Sequence, residues 1–243
     1  MSGSDRYLKN YKEKRRKKML TEYHCHVLPG LDDGSNSLGT SLALLEMMKD
    51  QGVKRVVFTP HFYCHEEESV ESFLEKRQAA FEIIREKSPI KNMLLGAEVT
   101  VENGISEVKD IEKLAIEGTN LILMAFPYRN YERWMAEEIY NLSVEYGLEV
   151  ILAHVHSCAD FCSEEEIDNI LSSNAIMQVN NDAFMSWNEK KLAKRVVDEC
   201  SRVVFGSDAH NIIDRMPNWD ILKRKVKPEL IEASDDMLDY FIK

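Results

Sequence analysis

The sequence predicts an α/β domain, a small barrel of seven strand–helix units, and three observations carry that prediction. Short apolar runs rich in Val, Ile and Leu recur about seven times along the chain. Longer stretches with apolar residues at helical spacing separate them, and regular strand–helix alternation implies parallel pairing through right-handed crossovers. Seven such units occupy the 225 residues after position 18, which suits a small barrel better than an open doubly wound sheet.

The first strand candidate is LTEYHCH at 20–26. Leu38, Leu42 and Leu45 then recur at helical spacing, with Asn36 as a candidate cap and Gly52 as the stop. KRVVFT at 54–59 is the second strand, and Val70, Leu74, Phe81 and Ile84 mark a helix across 67–88 that ends before Pro89. Strands follow at 92–97, 120–126, 149–154, 175–180 and 202–206. Helical patterns cover 131–146, 163–172, 188–200 and 228–242. There is no internal repeat and no Pro/Gly/Ser-rich linker, so 19–243 reads as one domain.

The formal charge of −11 is unevenly spread. Residues 1–18 hold eight bases and two acids, a net of +6, whereas the remainder holds 23 bases and 40 acids, a net of −17. A hydrophobic content of 44% is enough to build a sizeable core and excludes global disorder. No apolar run approaches the ~18 residues that span a bilayer, and no apolar stretch follows the basic start as in a secretory signal. Five scattered cysteines, an odd number, read as reduced thiols, and the expected compartment is the cytoplasm. An acidic body argues against a nucleic-acid surface. The run KEKRRKK at 12–18 reads either as a solvated tail or as an electrostatic contact with anionic lipid, peripheral at the inner membrane face, or with an acidic protein surface. Met19 would make a natural start for the first strand, which makes 1–18 an accessory extension.

The seven histidines are the most informative feature. His24 and His26 end the first strand, His61 follows the second, His154 and His156 end the fifth, and His210 follows the seventh. His65 alone lies elsewhere, four residues past His61. In a (β/α) barrel the C-terminal strand ends carry the active site. Within HCHVLPGLDDG, residues i and i+2 of a strand share a face, so both histidines can reach one ion while Cys25 points away. Glu98 in GAEVT and the Asp208/His210 pair in GSDAHN extend the pattern. Singly, each has a plain structural reading as a solvated loop acid or a satisfied core histidine. Gathered at one end of successive strands, they read as a metal site. Imidazoles mixed with carboxylates suit Zn, Mn or Fe better than an all-oxygen Ca or Mg cage.

HCHVLPGLDDG, TPH, GAE, AH and SDAHN, in this order over about residues 19–217, resemble the polymerase and histidinol phosphatase (PHP) metallohydrolase superfamily. Within it they resemble most the bacterial capsule-biosynthesis tyrosine-protein phosphatases, which are manganese-dependent. The resemblance implies a distorted (β/α)7 TIM-like barrel with a metal cluster at the strand ends, usually of three ions. Carried over position by position, His24, His26, Asp33, His61, Glu98, His154, Asp208 and His210 fall on family ligand positions. Arg215 falls on an arginine used near phosphate. Two positions depart. Ala125 stands where the family has a ligating glutamate, so two ions are expected and the third is weakened or lost. Ser157 stands at a family arginine and His156 at the acid before it, which makes His156 a candidate additional ligand or phosphate contact. Mn2+ is the expected metal, with Fe or Zn as alternatives.

The chemistry expected of such a cluster is in-line attack on a phosphate monoester by metal-activated hydroxide. Arg215 would donate to the phosphate, and Asp33 or His210 would serve as general acid. A cysteine nucleophile would need a donor-rich loop ending in arginine, and none of Cys25, Cys64, Cys158, Cys162 or Cys200 sits in one. Cys158 and Cys162, four apart, lack a matching second pair for zinc. The substrate expected from the resemblance is phosphotyrosine on protein, in particular the tail of a bacterial capsule or exopolysaccharide tyrosine kinase. The alternatives are a PHP-type phosphoesterase for a small monoester such as histidinol phosphate, and a catalytically weakened regulatory homologue. The sequence leaves the oligomeric state open.

Overall fold

The protein was described from a computed structural model covering residues 19–242. The basic 1–18 extension and Lys243 lie outside the described residues. All seven expected strand lines are present, and every ladder between them is parallel. β1 is Leu20–Glu22, β2 Val53–Phe58, β3 His61–Phe62, β4 Asn92–Leu95 and β5 Glu98–Thr100. β6 is Leu121–Ala125, β7 Glu149–Leu152, β8 Ile176–Asn180 and β9 Val203–Gly206. Two sheets result, three-stranded in the order β1-β2-β4 and six-stranded in the order β3-β5-β6-β7-β8-β9.

Two chain lines run past the strand ends expected at 59 and 97 into second short strands, and so contribute to both sheets. Pro60 lacks an N–H and ends β2, after which β3 resumes with His61. Gly96 and Ala97 interrupt the next line, and Gly96 donates instead to the Phe58 carbonyl at 2.8 Å. His61 pairs with Glu98 in register across β3 and β5, so the breaks set these two residues side by side. At the other edge the chain beyond β1 touches the chain beyond β9, with Cys25 bridging Ala209 in parallel. His26 donates to the Ala209 carbonyl and Asp208 to the His24 carbonyl, both at 2.8 Å.

β1 is shorter than the expected 20–26 because Glu22 takes over ladder duties with its side chain. Its buried carboxylate accepts from His24 N at 3.1 Å, Ser207 N at 2.7 Å and Trp219 Nε1 at 2.7 Å. Burial pushes the carboxyl up to about 7 in spite of these donors.

The helices lie near their expected positions. α1 is Leu38–Asp50, capped by Ser37 and not by Asn36, since the Ser37 hydroxyl accepts from Thr40 N. It buries Ser41, Leu44, Leu45 and Met48. α2 is Val70–Arg85, capped by Ser69. α3, Arg133–Tyr146, ends at Gly147 in the left-handed conformation at φ 64°. α4, Glu164–Leu171, opens on a capping box between Ser163 and Glu166, and α5 is Lys190–Glu199. α6, Trp219–Lys225, was not expected, because seven residues are too few to show a period.

α7, Pro228–Phe241, is clamped to the N-terminal end of the sheet. Buried Arg55 binds Thr21 Oγ1 at 3.1 Å, the Asp235 carbonyl at 2.8 Å and Asp239 Oδ1 at 2.5 Å. The Tyr23 hydroxyl donates to the Ser234 carbonyl at 2.7 Å and accepts from Leu238 N at 2.8 Å. With that end closed by a helix, the C-terminal strand ends are where polar side chains gather. Among the described residues, no helix is long and apolar enough to cross a membrane.

Candidate metal centre

His24 and His26 follow β1 and project to the same side, with their Nε2 atoms 3.1 Å apart. Cys25 between them turns away, its Sγ donating to the Val57 carbonyl at 3.5 Å. Burial raises its thiol well above the ordinary range, which keeps it from being a thiolate.

Two groups of donor atoms share His26. One is His26, Asp33, His61 and His210, the other His24, His26 and Asp208, and within each the atoms lie within 4.8 Å of one another. Glu98 ties them together. Its Oε2 is 3.3 Å from both His24 Nε2 and His26 Nε2 and 2.8 Å from His61 Nδ1, while Oε1 meets His154 Nε2 at 2.9 Å. Asp208 Oδ1 lies 3.5 Å from His24 Nε2 and 3.4 Å from His26 Nε2. Asp33 Oδ1 lies 3.3 Å from His61 Nε2 and 3.5 Å from His210 Nε2. The eight residues singled out in the sequence therefore converge, and Arg215 joins them, 3.1 Å from Asp208 Oδ2 and 3.8 Å from Asp33 Oδ2.

A cation fits this donor set for a reason internal to the hydrogen bonding. His24 Nδ1 faces Gln178 Oε1 at 3.1 Å, an oxygen identified by its acceptance of His154 N at 2.6 Å. His26 Nδ1 faces Asp32 Oδ2 at 2.7 Å. Both oxygens accept, so in the neutral rings the protons sit on Nδ1 and the two Nε2 lone pairs face each other. Only a positive charge relieves that opposition. Glu98 Oε2, for all its closeness to three imidazoles, and His210 Nε2 are likewise buried without a well-aligned hydrogen-bond partner among the described residues.

The charges agree. Burial opposes ionising Glu98, yet His24, His154 and His26 outweigh it and hold its carboxyl well below the usual range. Burial opposes ionising Asp208 as well, and His24 and His26 reverse the balance there too. Burial would lower the two histidines, but Glu98 and Asp208 raise both, so the carboxylates demand positive charge among the rings. His210 is pushed down to about 4 by burial and by His26, which leaves it a neutral imidazole.

Backbone strain is concentrated here. His154 at φ 32° and Asp208 at φ 52° are two of only three non-glycine residues with positive φ among those described. Such conformations persist where surrounding contacts over-determine them, and they cluster at functional sites. Two glycines make room: a Cβ on Gly206 would lie 2.8 Å from His24 Cβ, and one on Gly34 would lie 2.2 Å from the His26 carbonyl oxygen.

His156 stays out of the cluster. It is buried edge-on to His154 at 6.5 Å, its Nε2 is 3.9 Å from Glu189 Oε1, and its Nδ1 has no partner among the described residues. Burial and His154 push it down to about 3. Ser157 donates to the His154 carbonyl at 2.8 Å, and Ala125 is buried at the end of β6.

Sequence reasoning missed the residues that orient the histidines. Asp32 binds His26, His61 N at 3.1 Å and Gly34 N at 3.0 Å, and the signal was the doubled aspartate. Gln178, an amide inside the apolar run IMQVN, links His24, His154 and Asn180.

The model of a family described as capsular polysaccharide synthesis, CpsB/CapC, matches residues 20–238. Among curated proteins, tyrosine-protein phosphatase YwqE of Bacillus subtilis (strain 168) is 24% identical over 207 residues, covering 81% of this chain and 79% of its own length. A solved structure from work on YwqE of Bacillus subtilis and CpsB of Streptococcus pneumoniae, described as unique metal-dependent tyrosine phosphatases, superposes with a TM-score of 0.75. It is 21% identical and covers 91% of this chain and 94% of its own. Histidinol phosphate phosphatase from Lactococcus lactis, solved with zinc, L-histidinol and phosphate, shares the fold at a TM-score of 0.51 and 13% identity, over 88% of this chain and 93% of its own.

Proposed function

The chain belongs to the CpsB/CapC family, and from that premise we propose that it is a metal-dependent phosphatase that hydrolyses phosphotyrosine on protein. The observation that carries this reading is the pair of donor groups joined through His26 and Glu98, with a guanidinium at their edge. We assign His24, His26, Asp33, His61, Glu98, His154, Asp208 and His210 as the residues that hold two divalent ions. The mixture of imidazole and carboxylate is compatible with Mn, Fe or Zn, and of these the family resemblance favours Mn2+. Such ions, when bound, supply Lewis-acid charge stabilisation and lower the pKa of water. We further read the two sheets as one distorted (β/α)7 barrel, a reading supported by the Cys25–Ala209 bridge between the first and last strand lines.

The chain's own groups divide the remaining work. Arg215 offers a planar fork of donors to the phosphate oxygens. It is held by a loop wrapped on Asn211, whose Oδ1 accepts from the backbone N–H of Ile213 at 2.8 Å and Asp214 at 3.0 Å. Asp33 is more than half exposed and faces the same space; if it is not committed to an ion it is placed to serve as general acid toward the leaving oxygen, the role for which His210, 3.5 Å away, is the alternative. A tyrosinate leaving group, with a reference pKa near ~10, needs little such help. A tyrosine-bearing tail of a bacterial capsule or exopolysaccharide kinase is the substrate we propose.

The direct test is turnover of a phosphotyrosyl peptide and of histidinol phosphate, with and without chelator, on protein whose metal content has been measured. Chelator-sensitive turnover favouring the peptide is expected. Absence of both bound transition metal and chelator-sensitive turnover would sink the proposal, and preference for histidinol phosphate would move it to the small-ester reading. Arg215→Ala should lower kcat/KM by roughly 10²-fold with metal content unchanged, and Arg215→Lys should recover only part of the loss. Cys25→Ala should keep turnover while costing on the order of 1 kcal/mol of stability from the small buried cavity. Loss of turnover with metal retained would revive a thiol mechanism.

A further inference from the structure

Six rings run through the centre in sequence. Tyr63 stacks on His61 at 5.3 Å between centroids, His61 is 4.2 Å from His26, His26 is 5.2 Å from His24, His24 is 5.7 Å from His154, and His154 is 5.8 Å from Tyr128. A tyrosine thus stands at each end of the imidazole row. The two differ in exposure: Tyr63 is half-buried, whereas Tyr128 is 77% exposed.

Tyr128 is held firmly for so exposed a residue. Its ring lies within 20° of parallel to His154, and Phe161 meets it edge-on at 6.1 Å. It is the central residue of a three-residue turn closed by Arg129 N–H donating to the Pro127 carbonyl at 2.7 Å. Pro127 fixes its own φ, which narrows the backbone conformations open to the turn. The loop follows β6, at the strand ends that carry the cluster. The loops after β8 and β9, at the same end of the strands, expose Trp187 and Ile213. An exposed ring braced on a candidate metal ligand is a preorganised surface for another ring.

We propose that Tyr128 is the aryl-recognition residue of this site, packing against the phenyl ring of the substrate while Arg215 and the cluster hold its phosphate. The assignment rests on the phosphatase reading above and adds the origin of its selectivity. Aryl phosphates are favoured over alkyl phosphates because only they gain the ring contact.

The test uses the full-length, metal-loaded protein and two non-hydrolysable probes, phenylphosphonate and methylphosphonate, titrated by calorimetry. The unaltered protein should bind phenylphosphonate more tightly. Tyr128→Ala and Tyr128→Leu should shrink that preference by about 2–10-fold, the span expected of one aromatic pair, and Tyr128→Phe should keep it. The ratio of kcat/KM for aryl over alkyl phosphate should follow. Metal content should be the same in all four proteins. An unchanged preference in Tyr128→Ala overturns the assignment while leaving the phosphatase reading intact. Loss of metal from Tyr128→Ala also overturns it, because the ring would then serve only to orient His154. If the unaltered protein binds neither phosphonate and turns over no phosphate ester, the phosphatase reading fails and takes this assignment with it.

Discussion

Replacing Glu98 by glutamine is expected to strip the centre of one or both ions and to lower aryl phosphate turnover by on the order of 10²–10³-fold. The size of the effect follows from what the carboxylate touches. Oε2 lies within 3.3 Å of three imidazoles and Oε1 within 2.9 Å of a fourth, so every histidine of the row depends on it. Glutamine keeps the shape and removes the charge. Its N–H group would donate to one imidazole lone pair and could not share a cation with the others. Outer partners of a metal site alone are worth roughly 10–100-fold in metal affinity, and a group bridging two donor sets should exceed that. Elemental analysis and turnover measure the effect directly. A third readout is thermal: binding to the folded state alone raises its stability, so added Mn2+ should raise Tm in the unaltered protein and much less in Glu98→Gln. Full metal content with full turnover in Glu98→Gln would refute the bridging role.

Much of this arrangement was legible because strands and metal donors both announce themselves by short spacings. Runs such as VVF and LILM are β-branched or apolar throughout, as strands buried on both faces must be, and each became part of a strand of a parallel sheet. The alternation of side chains along an extended chain was enough to set His24 and His26 together and Cys25 apart. What the spacings did not reveal is what depends on contacts between distant segments. Gln178 is an ordinary polar interruption of a strand until His24, 154 residues away, is seen to need its oxygen. Tyr128 has no periodic signature, because its place is set by a turn and by a ring on the next strand line. β3 and β5 form beyond the strand ends expected at 59 and 97, and the breaks at Pro60 and Gly96 that precede them create the register that pairs His61 with Glu98. α6 escaped notice for want of length, although its Trp219 holds Glu22 and through it the start of the histidine segment.

The second large effect concerns a residue with no chemistry of its own. Gly34→Ala is expected to disable the centre nearly as thoroughly as loss of a ligand. The loop from His26 to Ser35 doubles back on itself, with Gly30 N–H donating to the Ser35 carbonyl at 2.7 Å and Ser35 N–H to the His26 carbonyl at 2.9 Å. That closure carries Asp32 and Asp33 back over the histidines. A Cβ at position 34 would sit 2.2 Å from the His26 carbonyl oxygen and 2.5 Å from His26 Cβ. Neither atom belongs to the far end of a flexible side chain, so no rotamer change relieves the contact and the backbone must move. Overpacking of this kind costs about 1–3 kcal/mol. The larger consequence is positional, since displacing reacting groups by ~1 Å can cost on the order of 10²-fold in rate. Gly30→Ala is the matched control in the same loop. Its φ of +68° disfavours a side chain, but nothing lies within 4 Å of the added carbon. It should lose about 1–2 kcal/mol of stability through backbone strain alone and keep its metal. If Gly34→Ala binds metal and turns over substrate as well as Gly30→Ala does, the loop does not set the position of the cluster, and the two aspartates must be held by contacts other than those made here.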